Sequence, residues 1–197
     1  MKKSCFIWCF ISLLTFVCIS LYAVDGFIKS IGKTFPEKVG NLVLVDHTDF
    51  ENKTPGLGES LSYRAPGINA DLYVYDFKIK DIPDGADSEV LKKHFAQVAG
   101  DIFQFEKMGK YKNVKTVVAT EKQTVSGMEC LWEKFSFNSQ GKDKESYLYL
   151  TGYKGKFFKI RVTHDAKETK FAEETANFAS KVFEIIGKKA EDQDKKQ

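Results

Sequence analysis

The sequence predicts an α+β protein in which one antiparallel sheet of six to seven strands is flanked by two main helices. Seven short segments rich in β-branched and aromatic residues are bounded by turn formers. Two further segments carry apolar residues at helical spacing. The last four strands are joined by turns too short for a parallel crossover, so neighbouring strands must run antiparallel.

The strands are predicted where apolar runs end at Gly, Pro, Asn or Asp. Their bounds are 41–45, 60–64, 71–80, 113–125, 128–137, 146–151 and 156–163. Residues 46–58 are predicted to form a loop. Both alternating sets of positions are apolar in 71–80 and 128–137, which indicates a sheet buried on its two faces. The expected architecture is therefore a three-layer sandwich with one helix on each face.

The first helix is predicted to begin at Asp87 or Ser88, either of which can cap its free amides, and to run to about Glu106. His94 lies beside its apolar face and is expected at the margin of the core. The apolar face repeats at spacings of four and three residues, through Leu91, Phe95, Val98, Ile102 and Phe105.

The second helix is predicted to follow Asp165, which forms a possible capping box with Glu168, and to end at Gly187. Before the first strand, the apolar residues of the lead-in segment have a spacing that allows one or two helical turns. The predicted division of the chain is 1–23 secretory signal, 24–39 lead-in, 40–187 α+β domain and 188–197 polar tail.

The N-terminal segment is typical of a secretory signal. Lys2 and Lys3 precede the uncharged residues 4–24, and small residues near Ala23 provide a cleavage point. The same uncharged run is long enough to remain as a membrane anchor. In both cases the domain is exported, to the periplasm or the cell exterior, and it contacts the membrane only if residues 4–24 are retained.

The charge balance argues against nucleic acid as a partner. The chain has 30 basic and 27 acidic residues, and without Lys2 and Lys3 the net charge is +1. Such a chain exerts little long-range attraction on a polyanion. The basic residues Lys154, Lys156, Lys159 and Arg161 are interpreted as solvated positions of a strand and its turn.

Only Cys130 lies beyond the predicted signal, so the exported chain cannot form an internal disulfide. Its position in an apolar strand indicates a small buried residue.

The C-terminal part of the sequence resembles the PsbP-like group, which includes the extrinsic PsbP protein of photosystem II and many exported bacterial proteins of unknown role. The resemblance covers residues from about Asp71 onward. It lies in a glycine-turned hairpin, a strand with the step Arg161-Val-Thr163, and a last helix ending in Phe-Glu-Ile-Ile before Gly187. It implies a sheet between helices, used for binding or as an accessory subunit, and it supplies no catalytic or metal-binding residue.

Two histidines are the weak candidates for chemistry. His47 stands between Asp46 and Asp49, a local set of metal-ligand types, although closed metal sites usually draw ligands from distant segments. His164 precedes Asp165, but no nucleophile elbow accompanies the pair. We predict no bound metal or other cofactor, and we interpret Asp165 as a helix cap.

Alternating tyrosines are the stronger candidates for binding, because a tyrosine can bury its ring and keep its hydroxyl in water. Two arginines could add a carboxylate contact. The predicted binding residues are Tyr73, Tyr75, Tyr147, Tyr149, Arg64 and Arg161.

The sequence therefore favours a non-enzymatic binding or accessory protein of the bacterial envelope, whose partner is an envelope protein or a small ligand. The alternative is a small exported hydrolase or metal-dependent enzyme that uses His47 or His164.

Overall fold

The computed structural model of the protein describes residues 24–188. The predicted signal and almost all of the predicted polar tail lie outside these residues. The described residues form ten strands and two helices. In chain order these are β1 (Phe27–Ile28), β2 (Lys33–Thr34), β3 (Lys38–Val39), β4 (Leu42–Asp49), β5 (Glu59–Ala65), β6 (Ile68–Tyr75), α1 (Glu89–Lys107), β7 (Lys112–Val125), β8 (Met128–Ser139), β9 (Lys142–Tyr153), β10 (Lys156–Asp165) and α2 (Lys170–Gly187).

Eight of the strands form one antiparallel sheet in the order β3-β4-β5-β6-β10-β9-β8-β7, and β1 and β2 form a separate hairpin. The predicted α+β class and antiparallel pairing are confirmed. The sheet has one strand more than the largest predicted number, because the two-residue β3 adds to its edge. Strands β7 to β10 form the predicted meander.

Three two-residue turns set the register of this meander. Ser126-Gly127, Gln140-Gly141 and Lys154-Gly155 all have positive φ at both positions. This conformation matches the twist of the strands that it joins, and glycine accepts it at the second position without strain. The middle turn is tighter than the predicted polar turn at 138–144, so β8 and β9 both extend beyond their predicted ends.

The two helices lie on opposite faces of the sheet, as predicted. Helix α2 and the β1–β2 hairpin cover one face, where Phe35 and Phe158 stack and Tyr63 packs edge-on against Phe178. Helix α1 covers the other face over β7, β8 and β9. Val43 of β4 points to that second face and is exposed. The α1 face is therefore covered over only part of its width.

Several local predictions are wrong. The lead-in forms the β1–β2 hairpin rather than helical turns, and β4 runs on to Asp49 through part of the predicted loop. Strand β6 ends at Tyr75, five residues before its predicted end, so Phe77 and Ile79 are 45% and 41% exposed. The capping box does not form, because Asp165 closes β10 and binds Lys144, while α2 begins after Thr169.

Ser88 caps α1 as predicted, since its hydroxyl accepts the amide of Leu91 at 3.2 Å. Cys130 is fully buried, and burial raises the pKa of its thiol to about 12. This confirms the interpretation of Cys130 as a buried residue.

None of the helices within residues 24–188 has the length and apolar content needed to span a bilayer.

The carboxylate of Glu59 fixes the hairpin to the sheet. Glu59 is 6% exposed and accepts the backbone amides of Lys29 at 3.1 Å and Ser30 at 3.0 Å. We expect Glu59→Ala to lower the free energy of unfolding by about 2–3 kcal/mol, because two amides lose a charged acceptor. Urea denaturation measures this change. Glu37→Ala, at an exposed glutamate of the lead-in, is the control, and equal losses in the two variants would contradict the prediction.

Candidate ligand-binding pocket

The structure separates the predicted tyrosines into two pairs. Tyr73 and Tyr75 lie on the α1 face of β6, where the sheet is incompletely covered. Tyr147 and Tyr149 lie on the opposite face of β9 and belong to the core beneath α2. Their rings are buried, so these two tyrosines do not form one surface with Tyr73 and Tyr75.

The two predicted arginines lie on the same face as Tyr73, and the structure gives each a partner. The Nη2 atom of Arg64 is 2.8 Å from the carboxylate of Asp71. Arg161 is opposite Asp71 in the strand register and donates through Nε to the hydroxyl of Ser146 at 3.2 Å. Both side chains therefore form a polar strip along the open part of the sheet.

The weak metal candidates do not converge. The Asp46 carboxylate accepts the hydroxyl of Thr48 at 2.7 Å, and Asp49 accepts the backbone amide of Glu51. The ring of His47 instead contacts the carboxylate of Glu59, with 3.3 Å between Nε2 and Oε2. Over residues 24–188 no three His, Cys, Asp or Glu side chains are grouped so that they could hold a metal ion.

His164 lies far from His47 in the sheet, at the opposite end of β10 from the pocket described below. Its side chain is 1% exposed and packs against the rings of Tyr147 and Phe171. Its Nδ1 atom is 3.1 Å from the carbonyl of Asp165. His164 and His47 therefore belong to separate environments.

A pocket opens where α1 stops covering the sheet, between α1, β6 and β10. Its volume is about 230 Å³. Five of the side chains around it are aromatic or aliphatic residues of β6 and of the two loops beside it. The other lining side chains come from α1 and β10. The lining residues are Phe50, Leu57, Tyr73, Tyr75, Phe77, His94, Gln97, Val98, Asp101 and Lys159.

Lys159 supplies the cation of this pocket. Its Nζ atom lies 4.2 Å from the centre of the Tyr73 ring and 5.5 Å from that of Tyr75. Within residues 24–188 it forms no ion pair, although Asp101 lines the same pocket. Burial, helped by the charge of Arg161, lowers the pKa of this ammonium to about 8. The pocket thus combines aromatic walls with a partly desolvated amine.

His94 and Tyr75 form a hydrogen-bonded pair behind Lys159. The Tyr75 hydroxyl and the His94 Nε2 atom are 2.8 Å apart, and the imidazole packs against Phe157 with 4.2 Å between ring centres. Burial, with a smaller effect of the Lys159 charge, lowers the pKa of His94 to about 4. Burial also raises the pKa of Tyr75. At neutral pH both groups are therefore uncharged.

The pocket rim is built by two constrained loops. The Glu51 carboxylate accepts the amides of Gly56 and Gly58, which folds residues 50–58 so that Phe50 and Leu57 reach the mouth. On the other side Phe77 has φ of +52° and packs edge-on against His94. A non-glycine residue in this region of φ carries strain, which is common at ligand sites.

The buried imidazole predicts a pH-dependent stability. His94 has a pKa of about 4 in the folded protein against an ordinary value of 6.5. Between these values the unfolded chain binds a proton that the folded chain does not, so stability falls as pH falls. We expect a loss of about 3 kcal/mol from His94 between about pH 7 and about pH 4.

Urea denaturation at both pH values measures this loss, and His94→Gln should remove most of it. His47→Gln, in which the histidine is more exposed, should keep the wild-type difference. An unchanged pH dependence in His94→Gln would show that other groups cause it.

Sequence reasoning names Tyr73 and Tyr75 as binding candidates, and both line this pocket. It does not name His94 or Lys159 as pocket residues, and it interprets Lys159 as a solvated lysine. A usable signal is its position between Phe157, Phe158 and Ile160. A lysine within an apolar strand buries its stem and needs an opening for its ammonium, which indicates a pocket beside it.

The fold assigns the chain to the α+β proteins that hold one antiparallel sheet between two layers containing helices. No protein-family model matches the chain, and no curated protein matches it.

Among solved structures, the chain is similar to cyanobacterial PsbP (CyanoP) from Synechocystis sp. PCC 6803, at 8% identity and a TM-score of 0.45 over 67% of this chain and 76% of that one. It is also similar to PA94 of Pseudomonas aeruginosa, a protein of unknown function and putative regulator, at 10% identity and a TM-score of 0.38 over 72% and 95%. A third is LpqN of Mycobacterium tuberculosis, involved in cell envelope biogenesis, at 11% identity and a TM-score of 0.34 over 78% of this chain and 80% of that one.

Proposed function

We propose that the protein is an exported binding protein of the cell envelope, and that its pocket takes a small amphiphile with an apolar body and an anionic head. The observation that carries the proposal is the Lys159 ammonium, which lies at an aromatic pocket without an ion-pair partner among residues 24–188. Binding sites of this kind combine apolar walls with a few polar groups that fix the orientation of the ligand.

Each part of the ligand has a counterpart in the pocket. The rings of Tyr73, Tyr75 and Phe77 offer apolar area to the body of the ligand. A carboxylate that reaches Lys159 gains a charge-assisted hydrogen bond in a partly desolvated site, where such bonds are stronger than in water.

Export is supported by the N-terminal sequence, with its two lysines and uncharged residues 4–24. A small ligand is favoured over an envelope protein as the partner, because Tyr73 and Tyr75 line a concave pocket, whereas Tyr147 and Tyr149 are buried beneath α2. The alternative of an enzyme that uses His47 or His164 has less support, since the His47 ring contacts the Glu59 carboxylate and His164 is buried.

The test is calorimetric titration with three ligands of equal chain length, namely octanoate, octanol and octylamine. We expect octanoate to bind at least about tenfold more tightly than octanol, because only octanoate offers an anion to Lys159. Octylamine should bind least, because its ammonium repels that of Lys159. Equal affinities for the three ligands, or tightest binding of octylamine, would refute an anion-selective pocket.

A further inference from the structure

The amine of Lys159 differs from that of a lysine held in an ion pair. Lys134 provides the comparison, since its Nζ atom lies 5.1 Å from the ring centre of Tyr147 but only 2.9 Å from the carboxylate of Glu145. The carboxylate holds Lys134 in its protonated form. Lys159 lies over tyrosine rings in the same manner and lacks such a carboxylate within 4 Å among residues 24–188.

The charged and titratable groups around Lys159 come from three elements. Arg161 on β10 repels its proton, and Asp71 on β6 and Asp101 on α1 attract it. Tyr75 and His94 also face the pocket and are uncharged at neutral pH. Burial outweighs the two carboxylates and lowers the pKa of Lys159 to about 8, so about a tenth of this amine is neutral at pH 7, far more than in an ordinary lysine.

A neutral amine at an apolar pocket is a nucleophile toward carbonyl carbon. From this geometry we propose that Lys159 forms a reversible imine with an aldehyde whose apolar body fills the pocket. The inference rests on the proposed function for the pocket itself, and it adds a covalent mode of binding with a second ligand class.

The reaction balances without any further reagent. The Nζ lone pair attacks the carbonyl carbon, and a proton moves from nitrogen to the former carbonyl oxygen to give a carbinolamine. Loss of that hydroxyl with the second amine proton releases one water and leaves the C=N bond. The released water can leave through the mouth of the pocket, whose other polar lining groups include the Tyr75 hydroxyl, hydrogen-bonded to His94 at 2.8 Å.

The test is reductive trapping on the purified wild-type protein. Hexanal is added with sodium cyanoborohydride at about pH 7, and the rate of alkylation at each lysine is followed by peptide mass mapping. We expect Lys159 to be modified at least about tenfold faster than Lys134, because a larger fraction of its amine is neutral. Octanoate should slow the modification of Lys159 and leave that of exposed lysines such as Lys167 unchanged.

Modification of Lys159 no faster than that of the exposed lysines would overturn the inference, and it would leave the proposed function standing if octanoate still binds. Rapid modification of Lys159 in a protein that does not bind octanoate would support the imine and refute the carboxylate ligand. Lys159→Arg keeps the charge and cannot form an imine. It should therefore lose the fast phase of labelling, while the labelling of Lys134 and Lys167 stays at the wild-type rate.

Discussion

Replacing Lys159 with methionine is expected to lower the affinity for octanoate about tenfold to a hundredfold. Methionine keeps the length and apolar character of the side chain but removes the ammonium that the carboxylate would meet. Losing one member of a desolvated charge pair typically has an effect of this size. Octanol should bind the variant at least as well as it binds the wild type, because the aromatic walls are unchanged. Calorimetric titration gives both affinities.

Lys134→Met is the matched control. Lys134 also places its ammonium over a tyrosine ring, but on the opposite face of the sheet. Its replacement should leave the octanoate affinity at the wild-type value. If Lys159→Met retained the wild-type affinity, or if Lys134→Met lost as much, Lys159 would not be the anion contact.

Replacing Gly58 with alanine is expected to lower the free energy of unfolding by roughly 3–5 kcal/mol. A Cβ atom at this position would lie 1.8 Å from the carbonyl oxygen of Val74, and the backbone φ of +64° is itself strained for alanine. Backbone atoms of β6 cannot move away without breaking the β5–β6 pairing. Thermal and urea denaturation measure the loss, which is a large part of the stability of a typical domain.

Gly100→Ala is the control for this glycine. Gly100 lies in α1, has no neighbour within 4 Å of a Cβ atom, and does not have the positive φ of Gly58. Alanine there should raise the stability by about 0.5–1 kcal/mol, because it favours the helix. If both variants had near wild-type stability, the loop at Gly58 would have to be able to move away from β6.

Much of the fold could be predicted because it follows from local chemistry. The Ser88 hydroxyl directly precedes the apolar repeat of α1 and can cap that helix. The Ser126-Gly127 turn accepts positive φ at both positions. Such signals act over a few residues. The predictions for the lead-in and for Asp165 failed because tertiary contacts decide them. Glu59 captures the amides of the lead-in hairpin from a distant strand, and Lys144 binds Asp165.

The candidate site was only partly predictable for a related reason. Alternation along one strand shows that Tyr73 and Tyr75 share a face, and likewise Tyr147 and Tyr149. It does not show whether the two pairs share the same face. That depends on how β10 pairs with β6 on one side and with β9 on the other, and this register cannot be read from the sequence. The position of the pocket beside Lys159 depends on where the contact between α1 and the sheet ends.

The strand order has a further consequence for how the molecule holds together. Strands β7 to β10 are joined by short turns, whereas β6 and β10 are far apart in sequence and meet at the centre of the sheet. The pocket lies on this seam, with Tyr73 on one side and Lys159 on the other. A bound molecule would therefore contact both parts of the sheet and would oppose their separation, because it binds only while the two are joined.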